Sequence, residues 1–286
     1  MTFEEFAAAK VNLYLQVIGR RPDGYHVLDS LVVFVDIGDR VSVSLADRLS
    51  LEITGPFKAD LGLDYDDNLV LRAARALAAE IGIEARVAVE LGKNLPVAAG
   101  IGGGSADAAA TLRALMRLWA ASLDRDRLFA LALGLGADVP VCLDTGAAVM
   151  CGIGDRLEPA PANWPKLHLV LVNPGCALST VAVFAARDGA FTAARPLDLP
   201  SPSLGDVVAV LSARQNDLEP IARRLEPAID ATLASLTGQP HCLLARMSGS
   251  GATCFGLFPS AGAASRAAAG LRAAHAGWWV AAGSTL

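Results

Sequence analysis

Four glycines stand within five positions, at 100, 102, 103 and 104, and run directly into Ser105 and an alanine- and leucine-rich segment. Glycine takes backbone conformations that other residues resist, and its missing Cβ lets an anion come close to the amides. Successive amides of that kind form a concave anion nest. A helix over Ser105 to Ala121, which the apolar spacing predicts, would add unpaired first-turn N–H groups and a dipole end of about +0.5 charge. The segment Pro96-Val97-Ala98-Ala99-Gly100-Ile101-Gly102-Gly103-Gly104-Ser105-Ala106 therefore predicts a nucleotide-phosphate loop. Two familiar alternatives do not fit it. No lysine follows the glycines as GxxxxGK[ST] requires, and Ser105 stands where a dinucleotide GxGxxG needs its last glycine.

The rest of the chain reads as mixed helix and strand. Strands are expected over Val11–Ile18, Leu31–Ile37, Arg40–Leu45, Leu49–Ile53 and Val87–Leu91, with turns at Arg21-Pro22-Asp23-Gly24 and Gly38-Asp39. Asp67-Asn68 has N-cap chemistry before a helical pattern that ends at Gly82. A helix over Asp126–Leu133 leads into Gly136-Ala137-Asp138-Val139-Pro140. Turn residues gather around Gly152-Ile153-Gly154-Asp155 and Pro159-Ala160-Pro161, so the expected domains are 1–154 and 155–286. Beyond them, Leu218–Leu236 reads as mainly helical and Ser260–Ala274 as an alanine-rich helix. Cys242–Met247 and Thr253–Phe258 read as strands around Gly249-Ser250-Gly251.

Composition narrows the classes. A net charge of -5 argues against a nucleic-acid binder held by phosphate contacts, though a few local cations suffice for a small anionic substrate. Apolar residues make up 53% of the 286 positions, enough for a sizeable core, yet no apolar run reaches membrane-spanning length. Met1–Lys10 has neither the basic nor the apolar region of a signal peptide, and the expected location is cytoplasmic. Five scattered cysteines without a CxxC pair read as buried, reduced thiols, and no metal-ligand cluster is expected.

The glycine-rich segment resembles the ATP loop of the galactokinase, homoserine kinase, mevalonate kinase and phosphomevalonate kinase (GHMP) superfamily. It departs from the commonest form in Ile101 and in glycines where serines are frequent. Three more segments resemble one branch, which phosphorylates 4-diphosphocytidyl-2-C-methylerythritol. They are Ala9-Lys10-Val11-Asn12-Leu13 with Arg21-Pro22-Asp23-Gly24-Tyr25-His26, then Leu135–Pro140, then Met247-Ser248-Gly249-Ser250-Gly251-Ala252.

The resemblance implies an α+β, two-domain GHMP kinase fold with the active site in the interdomain cleft. It implies an enzyme that uses ATP with Mg2+, acts on a small molecule, and is a monomer or weak homodimer. Asp138 takes the position of the general base and Lys10 that of the lysine that orients the hydroxyl. Asn12 would share a strand face with Lys10. Tyr25 would stack on cytosine and His26 bond its edge, with Phe184 as a second aromatic and Thr180 beside it. Asn68 and Lys93 fall on the adenosine side, Gly249 and Ser250 near phosphate, and Ser105 is the one loop serine available to magnesium. Asn216-Asp217-Leu218-Glu219 reads as structural capping. Three rivals stay open at this point: a superfamily kinase for another acceptor, a nucleotide-dependent oxidoreductase, and a non-catalytic nucleotide-binding module.

Overall fold

The computed structural model describes residues 1–61, 67–161, 164–199 and 201–286. In chain order the elements are β1 (Thr2–Arg20), β2 (His26–Leu45), β3 (Ser50–Thr54), α1 (Leu69–Glu80), β4 (Val87–Gly92), α2 (Gly103–Leu118), α3 (Arg125–Leu135), β5 (Ala148–Gly152) and β6 (Arg156–Pro159). They continue with β7 (His168–Asn173), α4 (Thr180–Ala185), α5 (Leu204–Ser212), α6 (Glu219–Leu225), α7 (Ala228–Thr237), β8 (Leu244–Met247), β9 (Cys254–Phe258), α8 (Ala261–Ala274) and β10 (Trp279–Ser284).

Two compact units emerge, and neither is one stretch of chain. The first holds residues 1–9, 38–97 and 102–145; the second holds 10–37, 98–101 and 146–286. A single boundary after residue 154, the expectation from turn composition, cuts across this interleaving. Composition reports where the chain turns, not which distant segments pack together.

In the first unit, β4 lies between β3, parallel to it, and the C-terminal half of β2, antiparallel to it. Val41, Val43, Val87, Val89 and Leu91 are buried, as the alternation of these strands requires. Helix α2 is buried along Ala106, Ala108, Ala109, Ala110 and Ala114, and such small side chains let α1 pack closely against it. The expected turn at Gly38-Asp39 does not exist, because β2 runs straight through it. Gly38 is there for space: a Cβ would collide with the Ala7 carbonyl and the Phe6 ring of β1.

In the second unit, β10, β7, β9 and β8 form an antiparallel sheet in that order. Helices α7 and α8 pack on it over a core that includes Val170, Val172, Ile229, Leu236, Phe258 and Leu271. The stretch expected to be mainly helical over Leu218–Leu236 is so, as two helices, α6 and α7, parted at Glu226-Pro227. A proline has no N–H to continue the helix and disfavours helical torsions in the residue before it. Cys142 and Cys254 are buried as expected, whereas Cys151, Cys176 and Cys242 are half-buried; none of the five is in a disulfide. Among the described residues no helix is long and apolar enough to cross a membrane.

Candidate active site

Helix α2 begins at Gly103, two residues before the position expected from composition. Its cap is Gly102, left-handed at φ 65°, and no side chain caps the helix. The Ala106 amide donates to the Gly102 carbonyl at 2.9 Å, so Gly103, Gly104 and Ser105 supply the first-turn amides that lack an intrahelical acceptor. Glycine is a poor helix former, which is why propensity placed the start too late. Backbone torsions are left-handed at Ala98 (φ 51°), Gly100 (φ 74°) and Gly102 (φ 65°), the alternation that aims amides into a nest. Alanine at such a torsion carries strain of roughly 1–2 kcal/mol, and it sits in the middle of the loop.

The second glycine-rich turn packs against residues 98–101. Ser248 Oγ donates to the Gly100 carbonyl at 3.0 Å and accepts from the Asn12 amide at 3.0 Å. The Thr253 amide donates to Ala99 O at 3.1 Å, and the Lys10 amide to Ile101 O at 3.0 Å. A Cβ on Gly249 (φ 56°) would lie 2.6 Å from Gly100 O. Gly249 thus lets its backbone approach the Gly100 segment closely. Asn216 fastens the turn from behind, its Nδ2 donating to Met247 O at 2.9 Å and to Gly249 O at 2.8 Å. Its Oδ1 accepts from the Leu218 amide, and Glu219 accepts from the Met247 amide, so the Asn216–Glu219 segment does more than cap a helix.

Lys10 and Asn12 are both buried, 4% exposed, on alternate positions of β1. Asn12 Nδ2 donates to Ser30 Oγ at 2.8 Å, and Ser30 Oγ to Tyr14 O at 2.6 Å. On the same strand face, Tyr14 donates its hydroxyl to Asp29 at 2.9 Å. Burial, then Asp29, pushes the phenol above its ordinary range, while burial raises the Asp29 carboxyl.

Tyr25 ends the turn between β1 and β2, with its carbonyl accepting from the Arg21 amide at 2.7 Å, and its side chain is 62% exposed. The His26 ring stacks on Phe184, centroids 5.1 Å apart and planes at 27°. Burial, and then the positive charges of Arg20 and Arg187, lower the His26 pKa. Near neutrality it is thus a neutral imidazole with one donor and one acceptor nitrogen. Phe184, expected to face cytosine, orients the histidine. Thr180, exposed in the first turn of α4, pairs its hydroxyl with buried Ser250 at 2.7 Å.

In the first unit, Asn68 caps α1, its Oδ1 accepting from the Val70 amide at 2.9 Å. Asp138 is half-buried in a turn closed by the Val139 amide on Gly136 O at 3.0 Å, directly before a 3-10 turn over Pro140–Cys142. Lys93 is not turned toward solvent: at 2% exposure its Nζ donates to Asp39 at 2.6 Å and to Asp107 at 2.7 Å. Burial alone would lower the lysine, but Asp107 and Asp39 outweigh it and raise its pKa. Burial pushes the Asp107 carboxyl up to about 7, with Lys93 opposing and Asp39 adding to the rise. One ammonium does not neutralise two buried carboxylates, and the surplus negative charge favours a proton on Asp107.

A carboxyl held above its unfolded value stabilises the fold at low pH, and that contribution fades as pH rises through the folded value. Between the ordinary 3.8 and about 7, wild type is thus expected to lose stability that Asp107→Asn does not. Melting temperatures across that window check it; parallel curves for the two proteins would reject the assignment.

Sequence reasoning gave no role to Asp107 or Ser248, and it read Asp39 as a turn residue and Asn216 as a cap only. Asp107 had a visible signal, a lone charge in the buried Ala106–Ala110 run.

Family comparison follows this geometry. The model described as the GHMP kinases N terminal domain matches residues 68–150, and that described as GHMP kinases C terminal matches residues 202–277. The chain belongs to the GHMP kinases, a family of phosphotransferases. Within it, the chain falls with the 4-diphosphocytidyl-2-C-methyl-D-erythritol kinases. The one from Paramagnetospirillum magneticum is 52% identical over 98% of this chain and 97% of its own. That from Cereibacter sphaeroides is 55% identical, over 97% of both chains. A crystal structure of 4-(cytidine 5'-diphospho)-2C-methyl-D-erythritol kinase superposes with a TM-score of 0.80 at 36% identity, covering 99% of this chain and 98% of that one. Homoserine kinase from Cytophaga hutchinsonii shares the fold, with a TM-score of 0.73 at 20% identity over 100% of this chain and 94% of that one.

Proposed function

We propose that this kinase transfers the γ-phosphoryl group of ATP to the 2-hydroxyl of 4-diphosphocytidyl-2-C-methyl-D-erythritol, releasing the 2-phosphate and ADP in the non-mevalonate route to isoprenoid precursors. The observation that carries the substrate assignment is the His26–Phe184 stack beside exposed Tyr25. A neutral imidazole held in one plane offers a base edge one donor and one acceptor, and Tyr25 offers it a face. Homoserine and mevalonate have no base to use either.

The roles divide as follows. The first-turn amides of α2 take the nucleotide phosphates, with the nest before them fixed by Ser248 and Gly249. Asp138 accepts the hydroxyl proton as the phosphoryl group moves, and Lys10 orients that hydroxyl. Asn12 holds Ser248, and Thr180 with Ser250 bounds the substrate phosphates. Asn68 contributes to the adenosine side. Magnesium keeps most of its waters and binds chiefly through nucleotide phosphates. Ser105 is the loop hydroxyl that would reach a magnesium ion carried by ATP. When bound, the ion would supply charge neutralisation at the moving group.

The test is ADP release with ATP and magnesium, comparing the cytidyl compound with homoserine, mevalonate and galactose. Release with the cytidyl compound alone is expected, and release with another acceptor instead would overturn the substrate reading. In the same assay Tyr25→Ala should raise KM for the cytidyl compound by about 5- to 100-fold, the worth of one stacked base. KM for ATP should stay put; an unchanged KM for the acceptor would remove Tyr25 from the base site.

A further inference from the structure

We infer that Asp39, Lys93 and Asp107 act as positioning residues for ATP, clamping together the two stems of the phosphate loop so that the first turn of α2 stands at a fixed place. This rests on the reading that the turn receives the nucleotide phosphates.

The three side chains come from three elements of the first unit, and all are essentially sealed from solvent. The incoming stem is held first. The Lys93 amide donates to Thr54 O at 2.9 Å, and its carbonyl accepts from the Phe57 amide at 3.2 Å. Asp39 Oδ1 then takes the Asn94 amide at 2.5 Å and the Leu95 amide at 2.8 Å, which pins the residues immediately before Pro96. The outgoing stem is held by Lys93 Nζ, which bridges the other oxygen of Asp39 to Asp107, one turn into α2. The ammonium also lies against the helix start, 3.2 Å from where a Cβ of Gly103 would be.

Stability alone is a poor reason for this arrangement. Buried ion pairs are often matched or exceeded in stability by apolar residues of similar volume. Asp107 Oδ1 has no hydrogen-bond partner among the described residues, which costs stability. Directional bonds supply what apolar packing does not: they fix the register of α2 against the end of β4. A nest of amides needs that register, because its bonds to phosphate depend steeply on angle and distance.

The experiment uses the full chain carrying Asp39→Asn, Lys93→Met and Asp107→Leu together, which removes the network without stranding a buried charge. Its melting temperature should stay within about 5 °C of wild type. KM for ATP should rise by at least about tenfold, with KM for the acceptor within about twofold. Wild-type KM for ATP in this folded variant would show the network to be structural only. Should the triple variant not fold, Asp107→Asn keeps size and one acceptor oxygen. It must then raise KM for ATP by about threefold or more at unchanged acceptor KM, or the proposal fails.

A separate variant, Gly104→Asp, puts a carboxylate on the exposed first turn of α2 and tests the underlying reading. If it and the triple variant both leave KM for ATP unchanged, the phosphate site is elsewhere. If Gly104→Asp alone raises it, the site stands and the positioning role falls.

Discussion

Replacing Asp138 by alanine is expected to lower kcat by about 10²–10⁴-fold while KM for ATP stays within about twofold. General-base catalysis is worth that range because the proton must leave the attacking hydroxyl as phosphoryl transfer proceeds. The turn is closed by a backbone bond from Val139 to Gly136, and Pro140 starts the next turn; a melting curve beside kcat separates loss of the base from loss of the fold. Asp138→Asn sharpens the result, since it keeps size and hydrogen-bonding capacity and removes only basicity. It should fall as far as alanine. A loss below about tenfold in both variants, with folding intact, would take the base role away from Asp138.

The elements that frame the candidate site were legible where their chemistry is local. Four glycines before a helix-forming run mark the start of α2 within one stretch of chain, and Asn68 announces itself as a cap two residues before the amide it accepts from. What could not be read is what depends on distant partners. Asp39 and Asp107 are 68 positions apart and acquire meaning only through Lys93 between them. Lys93 itself reads as a ligand contact until its neighbours are known, because a lone lysine in sequence carries no sign of burial. Strand continuity failed at Gly38 for a related reason. Glycine followed by aspartate is good turn chemistry, yet here one makes room for a neighbouring strand and the other accepts two amides. The division into units was hidden too, since segments 10–37 and 98–101 leave no compositional trace of packing with the second unit.

Gly100→Ala is expected to be the most damaging small substitution in the loop, costing more than about 3 kcal/mol of stability. Two costs combine there. A left-handed torsion costs a residue with a Cβ roughly 1–2 kcal/mol, and Gly100 has φ 74°. The new Cβ would also stand 2.5 Å from Ser248 O and 2.7 Å from the Gly251 amide nitrogen, both backbone atoms that no rotamer change moves. Gly82 separates the two costs, because it has φ 73° and nothing within 4 Å of an added Cβ. Gly82→Ala should therefore lose only the torsional part, about 1–2 kcal/mol, with ATP turnover unchanged. Gly100→Ala should melt several degrees lower still and lose ATP turnover, because relieving the clash requires the loop and the Ser248–Gly251 turn to part. Equal losses in the two variants, measured by thermal melts and ADP release, would mean that the turns are not interlocked and that Gly100 serves its torsion alone.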